Sequence, residues 1–119
     1  MFDAAGQHRG GLIAPGLMAM CSALTRDTAG IGAMQQDASA PEVWLATDTQ
    51  SGVLAGTRLA AAAFVDRVLT DAQRQLNVPV SGVITGGDAP VLLPLMRTTV
   101  RHEPYLVLDG LAVFAGSTS

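Results

Sequence analysis

A long stretch rich in Ala and Leu follows Asp48-Thr49 and constrains the fold of this chain more than any other part of its sequence. Apolar residues recur in it at the spacing of one helix face, while polar residues gather on the opposite face. The apolar face comprises Leu54, Ala61, Val65, Val68, Leu69, Ala72 and Leu76, and the polar face comprises Asp66, Thr70, Gln73 and Arg74. The pattern predicts a helix that starts after a cap at Asp48 or Thr49, ends near Leu76 and packs on a core by one face.

The core that this helix needs has to be built from aliphatic side chains. Of the 119 residues, 49% are hydrophobic, but only three Phe, one Tyr and one Trp are present. A chain of this length forms about one domain. Its net charge is −3, it contains no Lys, and its Arg residues are scattered singly. We therefore expect no basic surface for nucleic acid or for an anionic membrane.

The sequence also lacks targeting signals. No apolar run reaches the roughly 18 to 20 residues that span a bilayer, and the N-terminus lacks the basic start and apolar run of a signal peptide. A lone Cys21 cannot form an internal disulfide. We therefore expect a cytoplasmic protein with no membrane partner.

Short apolar runs and glycine-rich turns alternate along the rest of the chain, which is typical of an α/β layer architecture. The tail from Gly116 onward is expected to fray. The expected elements are a hairpin strand over about residues 7–13, a helix over about 15–27, a long connection over 28–43, a strand over 80–84, an apolar helix over 89–96, a strand over 105–108, a turn at Asp109-Gly110 and a last apolar element ending at Phe114.

A glycine pair in Thr85-Gly86-Gly87-Asp88 follows the strand expected over 80–84. The backbone amides of such a turn can approach a phosphate or a nucleotide closely, because no Cβ stands in the way. Many strand-to-helix turns use Gly only to turn and Asp only to cap the next helix, so both interpretations stay open. Asp88 is the predicted N-cap residue in either case.

Two other segments allow either a ligand or a structural role. Beside Asp48 and Thr49, the small residues Gly52 and Gly56 leave room for a polar ligand or another chain, although helix capping is the commoner use of such a start. Each of these glycines costs about 1 kcal/mol relative to Ala, which predicts a close approach to that backbone. The glycines of residues 10–16 fit a phosphate site, a bulge or close strand-to-helix packing, and we favour packing.

The titratable and nucleophilic residues form no catalytic or metal-binding pattern. His8 and His102 are far apart, and neither has a carboxylate or a second His at metal-ligand spacing. Cys21 has no evident base partner, and no Ser lies in a G-x-S-x-G motif. The sequence therefore predicts neither a metal site nor a nucleophile.

Five short blocks follow one another along nearly the whole chain: G-G-L-I-A-P-G-L (10–17), S-A-L-T (22–25), D-T-Q-S-G-V-L-A-G (48–56), V-I-T-G-G-D-A (83–89) and L-V-L-D-G-L (106–111). Together they resemble the C-terminal half of type III pantothenate kinases, a family that includes proteins named Bvg accessory factor. The resemblance depends on the order and spacing of the blocks, because each block alone is unspecific.

The resemblance implies an α/β fold of the ribonuclease-H-like type found in actin-like ATPases and in the acetate and sugar kinase superfamily, with a mixed sheet and flanking helices. It implies a homodimeric enzyme that phosphorylates pantothenate with ATP in coenzyme A biosynthesis and uses Mg²⁺ and a monovalent cation, K⁺ or NH₄⁺. Thr49 matches a threonine that reaches across the dimer interface to the pantothenate of the other subunit. Thr85, Gly86 and Gly87 match a turn near the adenosine of ATP.

The chain also departs from the family. Asp48 and Gly52 stand where Asn and Ala are common. The family's Asp-x-Gly-Asn-Thr phosphate loop, Gly-x-Asp-Arg base block and Asp-x-Gly-Thr block for cation and ATP do not occur. Asp66 repeats part of the base motif, but it lies inside the predicted helix and lacks the preceding Gly. We therefore interpret residues 1–119 as a single C-terminal lobe without the phosphate-loop lobe, and we expect it to be inactive alone.

Two other interpretations stay open. One is a non-catalytic binding or regulatory module of the Bvg accessory factor type, which kept the lobe and lost the kinase. The other is a soluble α/β domain whose glycine turns are purely structural. A lobe that lacks half of its sheet exposes strand edges and apolar surface, so we expect poor solubility or self-association of the isolated chain.

Overall fold

The structure is a computed structural model that describes residues 1–25 and 45–117. The connection expected over 28–43 and the end of the tail lie outside these residues. Helices and short strands follow one another in the part described. Its elements are α1 (Leu17–Leu24), α2 (Thr49–Leu76), β1 (Gly82–Ile84), α3 (Ala89–Leu92), a 3₁₀ helix (Leu93–Leu95), β2 (Val100–His102) and α4 (Leu106–Ser117).

Helix α2 has a cap at each end. At its start, the Asp48 carboxylate accepts a hydrogen bond from the backbone N–H of Ser51 at 2.9 Å. At its end, Asn77 adopts the left-handed conformation, with φ of 53°, and its N–H donates to the Gln73 carbonyl at 3.0 Å. Asn tolerates this conformation better than most residues. The 28-residue helix ends at Leu76, as predicted, and is about 42 Å long at 1.5 Å per residue.

Helix α1 packs against α2 through small side chains. Leu17 and Cys21 of α1 are buried, and so is Thr57 of α2. The Thr57 hydroxyl donates to the Val53 carbonyl at 2.8 Å, and Cys21 Sγ lies within hydrogen-bond distance of Thr57 Oγ1, at 3.6 Å. The helix expected over 15–27 is confirmed with narrower bounds.

The buried apolar residues of the described segments are Leu17, Cys21, Ala62 and Ala89. Cys21 is the largest of the side chains that are completely buried there. The residues of the predicted apolar face of α2 are mostly half-buried, and Leu76 at its end is exposed. The core is aliphatic, as the composition predicts, and it is small.

Strands β1 and β2 form a parallel pair whose register places Gly82 opposite Val100 and Ile84 opposite His102. A Cβ at Gly82 would lie 2.7 Å from Val100 Cγ1 and 3.3 Å from the two Cδ atoms of Leu69 in α2. The first residue of β1 therefore lies between the neighbouring strand and α2, where there is no room for a side chain.

Asp66 joins α2 to the segment that precedes β2. Its Oδ2 accepts from the Arg97 N–H at 2.8 Å, and its Oδ1 accepts from the Thr98 N–H at 3.0 Å and from the Thr98 hydroxyl at 2.6 Å. These bonds, the Thr98 hydroxyl foremost, lower the pKa of Asp66 from its usual value of 3.8. The sequence analysis placed Asp66 on the polar face of α2, and the structure shows that residues 97–98 contact this face at Asp66.

The strand expected over 105–108 is wrong, because residues 106–108 begin helix α4. The Asp109 N–H donates to the Tyr105 carbonyl at 2.8 Å, so the turn expected at Asp109-Gly110 is inside the helix. A short apolar run does not distinguish a strand from a helix. Pro104 just ahead of the helix and an acidic residue in its first turn favour the helix.

The strand expected over 7–13 is reduced to a single antiparallel bridge between Phe2 and His8. The Asp3 carboxylate closes the turn between them by accepting from the Ala5 and Gln7 N–H groups. Within the described residues the sheet therefore has two parallel strands and is not mixed. The α/β class is confirmed.

The fit of Gly82 can be tested by adding one methyl group. Gly82→Ala should lower the free energy of unfolding by about 1 to 3 kcal/mol, because the stiff Val100 side chain cannot move away from the new Cβ. Gly56→Ala is the matched control: a Cβ there meets no atom within 4 Å, and Ala should stabilise the helix by about 0.5 to 1 kcal/mol. Urea denaturation measures both values. Equal effects at the two positions would contradict this packing.

The Asp66 contact predicts a pH-dependent stability. Asp66→Asn should cost about 0.5 to 1.5 kcal/mol at neutral pH, the usual range for hydrogen bonds open to solvent. Because the folded pKa is lowered, the carboxylate stabilises the fold above its unfolded value of 3.8, and this contribution is lost as pH falls through the lower folded value. The difference between the urea midpoints of wild type and variant should therefore shrink below about pH 4.

The control for that experiment is Asp71→Asn, which removes a surface ion pair with Arg67 at 2.7 Å. Exposed pairs of this kind contribute about 0 to 1 kcal/mol. A difference between wild type and Asp66→Asn that does not change with pH would show that the carboxylate does not make these bonds in solution.

Candidate functional site

The turn Thr85-Gly86-Gly87 connects β1 to α3. Gly86 has φ of +103°, a conformation that side-chain-bearing residues rarely adopt, and its carbonyl accepts from the Ala89 N–H at 3.2 Å. A Cβ added at Gly86 or at Gly87 would meet no heavy atom within 4 Å. The glycine turn expected after the strand is confirmed, and its backbone borders open space.

Asp88 occupies the N-cap position of α3, as predicted, but its side chain makes no capping bond. Its backbone is in the helical region, with φ of −85° and ψ of −8°. A capping side chain needs the extended conformation to reach the free amides. The Asp88 carbonyl instead accepts from the Val91 and Leu92 N–H groups, both at 3.1 Å. The predicted capping role of the carboxylate is therefore wrong, and the side chain is exposed.

The turn lies at the edge of the sheet where both parallel strands end. Ile84 is opposite His102, and the Ile84 carbonyl accepts from the Glu103 N–H at 3.0 Å. In open α/β sheets, ligands bind outside the carboxyl ends of the strands. We call this region, with Thr85, Gly86, Gly87 and His102, the candidate ligand edge.

His102 lies at this edge because it pairs with Ile84. The sequence analysis considered His102 only as a metal ligand. The signal that could have placed it is parallel pairing, since the ends of parallel strands lie side by side. Strand β2 spans only Val100–His102, and a run that short carries no pattern from which a strand can be predicted.

Thr49, the other candidate site residue, is exposed at the first position of α2. It precedes Leu69, the α2 residue against Gly82, by 20 residues, which is about 30 Å of helix. The pKa of the adjacent Asp48 is lowered by the hydrogen bonds from Ser51. The structure therefore assigns the cap to Asp48 and does not bring Thr49 together with Thr85 within one chain.

The close approaches expected at the other glycines are not found among the described residues. A Cβ at Gly10, Gly11 or Gly16 would meet nothing within 4 Å, so the packing that we favoured for this run is wrong. Gly10 has φ of +120°, which is a sufficient reason for glycine there. At Gly52 the nearest atom to an added Cβ is the Ala46 Cβ at 3.9 Å, an ordinary contact.

No group of three or more His, Cys, Asp or Glu side chains that could hold a metal ion occurs in residues 1–25 and 45–117. His8 stacks edge-on against Phe2, with ring centroids 5.2 Å apart. None of the helices in these segments combines the length and the apolar character needed to cross a membrane.

A groove of about 730 Å³ lies at the opposite edge of the sheet, where the strands begin. It is between the second half of α2 and the residues that precede the strands. Gln73, Asn77, Val80 and Thr98 contribute to its walls. None of the candidate site residues lines it. The open turn at the carboxyl edge, not this groove, therefore coincides with the residues singled out in the sequence.

Fold and site together define an α/β protein with a glycine turn at the carboxyl edge of a parallel strand pair. The family model for type III pantothenate kinase matches residues 1–71. The chain belongs to the type III pantothenate kinase family, so the resemblance seen in the five blocks is confirmed.

Relatives named type III pantothenate kinase match almost the whole chain. The protein of Nitrosococcus oceani is 44% identical over 96% of this chain and 42% of its own length. The protein of Xanthomonas axonopodis pv. citri is 41% identical over 100% of this chain and 47% of its own length. The protein of Xanthomonas campestris pv. campestris is 39% identical over 97% of this chain and 46% of its own length. The chain spans less than half the length of these relatives and corresponds to their C-terminal part.

The cap at the start of α2 predicts different outcomes for two substitutions of Asp48. Asp48→Ala should lower the melting temperature, because it removes the acceptor for the Ser51 N–H. Asp48→Asn should retain most of the stability, because Asn caps helices about as well as Asp. Thermal unfolding followed by circular dichroism at pH 7 measures both. Equal melting temperatures for the two variants would show that the side-chain cap contributes nothing.

Proposed function

We propose that this protein acts as part of an ATP-dependent kinase that converts pantothenate to 4′-phosphopantothenate in coenzyme A biosynthesis, with residues 1–119 as its C-terminal lobe. One observation supports this above all: relatives named type III pantothenate kinase match up to 100% of the chain, a span that includes the glycine turn. The kinase is proposed to work in the cytoplasm with pantothenate and ATP as substrates.

The proposed role of Thr85, Gly86 and Gly87 is to border the adenosine part of ATP. Positive φ at Gly86 and open space at both glycines support this role, because a planar base or a ribose can approach the backbone without meeting a Cβ. The position at the carboxyl edge of parallel strands is the usual place for such a ligand. His102 is the nearest side chain of β2 at that edge, by its pairing with Ile84.

The proposed role of Thr49 is to contact pantothenate bound by the other subunit of a homodimer. Thr49 is exposed, and about 30 Å of α2 separates it from the residue that touches β1. That separation supports a role in a neighbouring subunit's site and disfavours one beside Thr85 of the same chain. The Asp48 cap holds the start of the helix, and so the Thr49 backbone, in place.

Transfer of a phosphoryl group requires a base for the pantothenate hydroxyl, a cation and a cradle for the γ-phosphate in one place. Asp66 does not serve as that base in this proposal, because both of its oxygens already accept bonds from Arg97 and Thr98. The described residues also contain no group of three or more His, Cys, Asp or Glu side chains that could hold a metal ion. We assign these roles to the part of the kinase that this chain does not cover, and we propose that the chain alone is inactive.

A fusion protein tests this assignment. The N-terminal part of the Nitrosococcus oceani relative, up to the matched region, is placed ahead of these 119 residues. The fusion should phosphorylate pantothenate with ATP, and the 119-residue chain alone should not. In the fusion, Gly87→Val should raise KM for ATP about tenfold, which corresponds to about 1.4 kcal/mol of binding, and Thr49→Ala should raise KM for pantothenate.

Thr99→Ala is the matched control, since Thr99 is exposed and lines the groove at the opposite edge of the sheet. It should change neither KM. Turnover by the isolated chain would refute its proposed inactivity. A folded fusion without activity would refute the kinase assignment and favour the non-catalytic module.

A further inference from the structure

Both strands of the sheet are attached to α2 near their first residues. Gly82, the first residue of β1, lies against Leu69. Residues 97–98, just before β2 begins at Val100, donate hydrogen bonds to Asp66. Asp66 and Leu69 are three residues apart, so they lie on the same side of α2 and about 4.5 Å apart along its axis. One short stretch of α2 therefore fixes where each strand begins.

The strand pair has little of its own to set its register. Each strand has three residues, and the pairing runs from Gly82 opposite Val100 to Ile84 opposite His102. A slip of one residue would move β2 by about 3.3 Å and would turn its side chains to the other face of the sheet. The attachment of β2 to α2 opposes such a slip.

Strand β2 connects this attachment to the candidate ligand edge. His102 follows Thr98 by four residues, which is about 13 Å of extended chain. Beyond the strand, the Glu103 N–H donates to the carbonyl of Ile84 at 3.0 Å, and Ile84 directly precedes Thr85. A shift of β2 at its start therefore changes the position of His102 relative to the glycine turn.

Asp66 holds the start of β2 in a way that only a carboxylate can. Its two oxygens accept three hydrogen bonds, from the Arg97 N–H, the Thr98 N–H and the Thr98 hydroxyl. Two of the donors are consecutive backbone amides, so the contact fixes the backbone of this segment as well as one side chain. An Asn side chain has one oxygen and an NH₂ group, which cannot accept the bond that the second oxygen accepts.

We propose that Asp66 is a positioning residue for nucleotide binding: it holds β2 in register, so that His102 lies beside the turn Thr85-Gly86-Gly87. Asp66 itself does not touch the nucleotide and acts through β2. The proposal rests on the proposed function for the identity of the ligand.

Amide hydrogen exchange of the 119-residue chain tests the positioning without an activity assay. In Asp66→Asn, the exchange rate of the Glu103 amide should rise about tenfold relative to that of Ala62, because the bond to Ile84 opens locally when β2 is released. Ala62 is completely buried in α2 and serves as the reference for unfolding of the whole chain. An equal rise at Glu103 and Ala62 would show that Asp66 stabilises the fold without positioning β2, and would overturn the proposal.

Kinetics of the fusion with the N-terminal part of the Nitrosococcus oceani relative provide the second test. Asp66→Asn should raise KM for ATP about fivefold and leave kcat and KM for pantothenate within about twofold of wild type. Thr98→Val should raise KM for ATP less, because both backbone bonds to Asp66 remain, and Thr98→Ser should restore the wild-type value because it keeps the hydroxyl. An unchanged KM for ATP in Asp66→Asn would overturn the proposal.

Asp71→Asn is the matched control, because Asp71 is a carboxylate of the same helix whose ion pairs with Arg67 and Arg74 stay within α2. It should change neither the ratio of the Glu103 and Ala62 exchange rates nor KM for ATP. A change in both as large as that in Asp66→Asn would also overturn the proposal. A folded fusion without activity would refute the proposed function, and the Glu103 exchange rate would then decide the positioning role by itself.

Discussion

A single uninterrupted helix, capped at both ends, organises the described part of this chain. Helix α1 packs on α2 through Cys21 and Thr57, and β1 packs on it through Gly82 and Leu69. The segment before β2 is attached to it by the Asp66 carboxylate. These attachments, at Thr57, Asp66 and Leu69, lie along about 18 Å of α2, which therefore sets the distances between parts of the chain that have few other contacts.

The attachments bury little apolar surface. The buried residues around α2 are mostly small, and the sheet of the described residues has two strands. Apolar burial is the main source of folding free energy, so the described residues gain little of it from their own core. Val83 of β1 and Leu106, Val107 and Leu108 of α4 are exposed apolar residues of these segments.

The geometry of α2 also separates the two groups of candidate site residues. The turn Thr85-Gly86-Gly87 follows a strand that packs on Leu69 in the second half of the helix, whereas Thr49 is at the start of the helix. In the proposed kinase, one chain therefore presents two half-sites that face different surroundings. In the proposed kinase, the first is completed by the N-terminal part of the same enzyme and the second by the other subunit of a dimer.

The sequence by itself determined the long helix with its cap, the aliphatic character of the core, the glycine turn after β1 and the family. These features depend on local chemistry: 3.6-residue periodicity, an Asp before a helix, and a glycine pair after an apolar run. Only the tertiary structure decided that residues 106–108 are helical and that Asp66 faces residues 97–98. It also decided that the Asp88 carboxylate makes no capping bond to α3, although the Asp88 carbonyl accepts hydrogen bonds from Val91 and Leu92. The outcomes at Asp66 and Asp88 depend on backbone conformation or on contacts between residues distant in sequence, and the apolar run at 106–108 is too short for its periodicity to distinguish a strand from a helix.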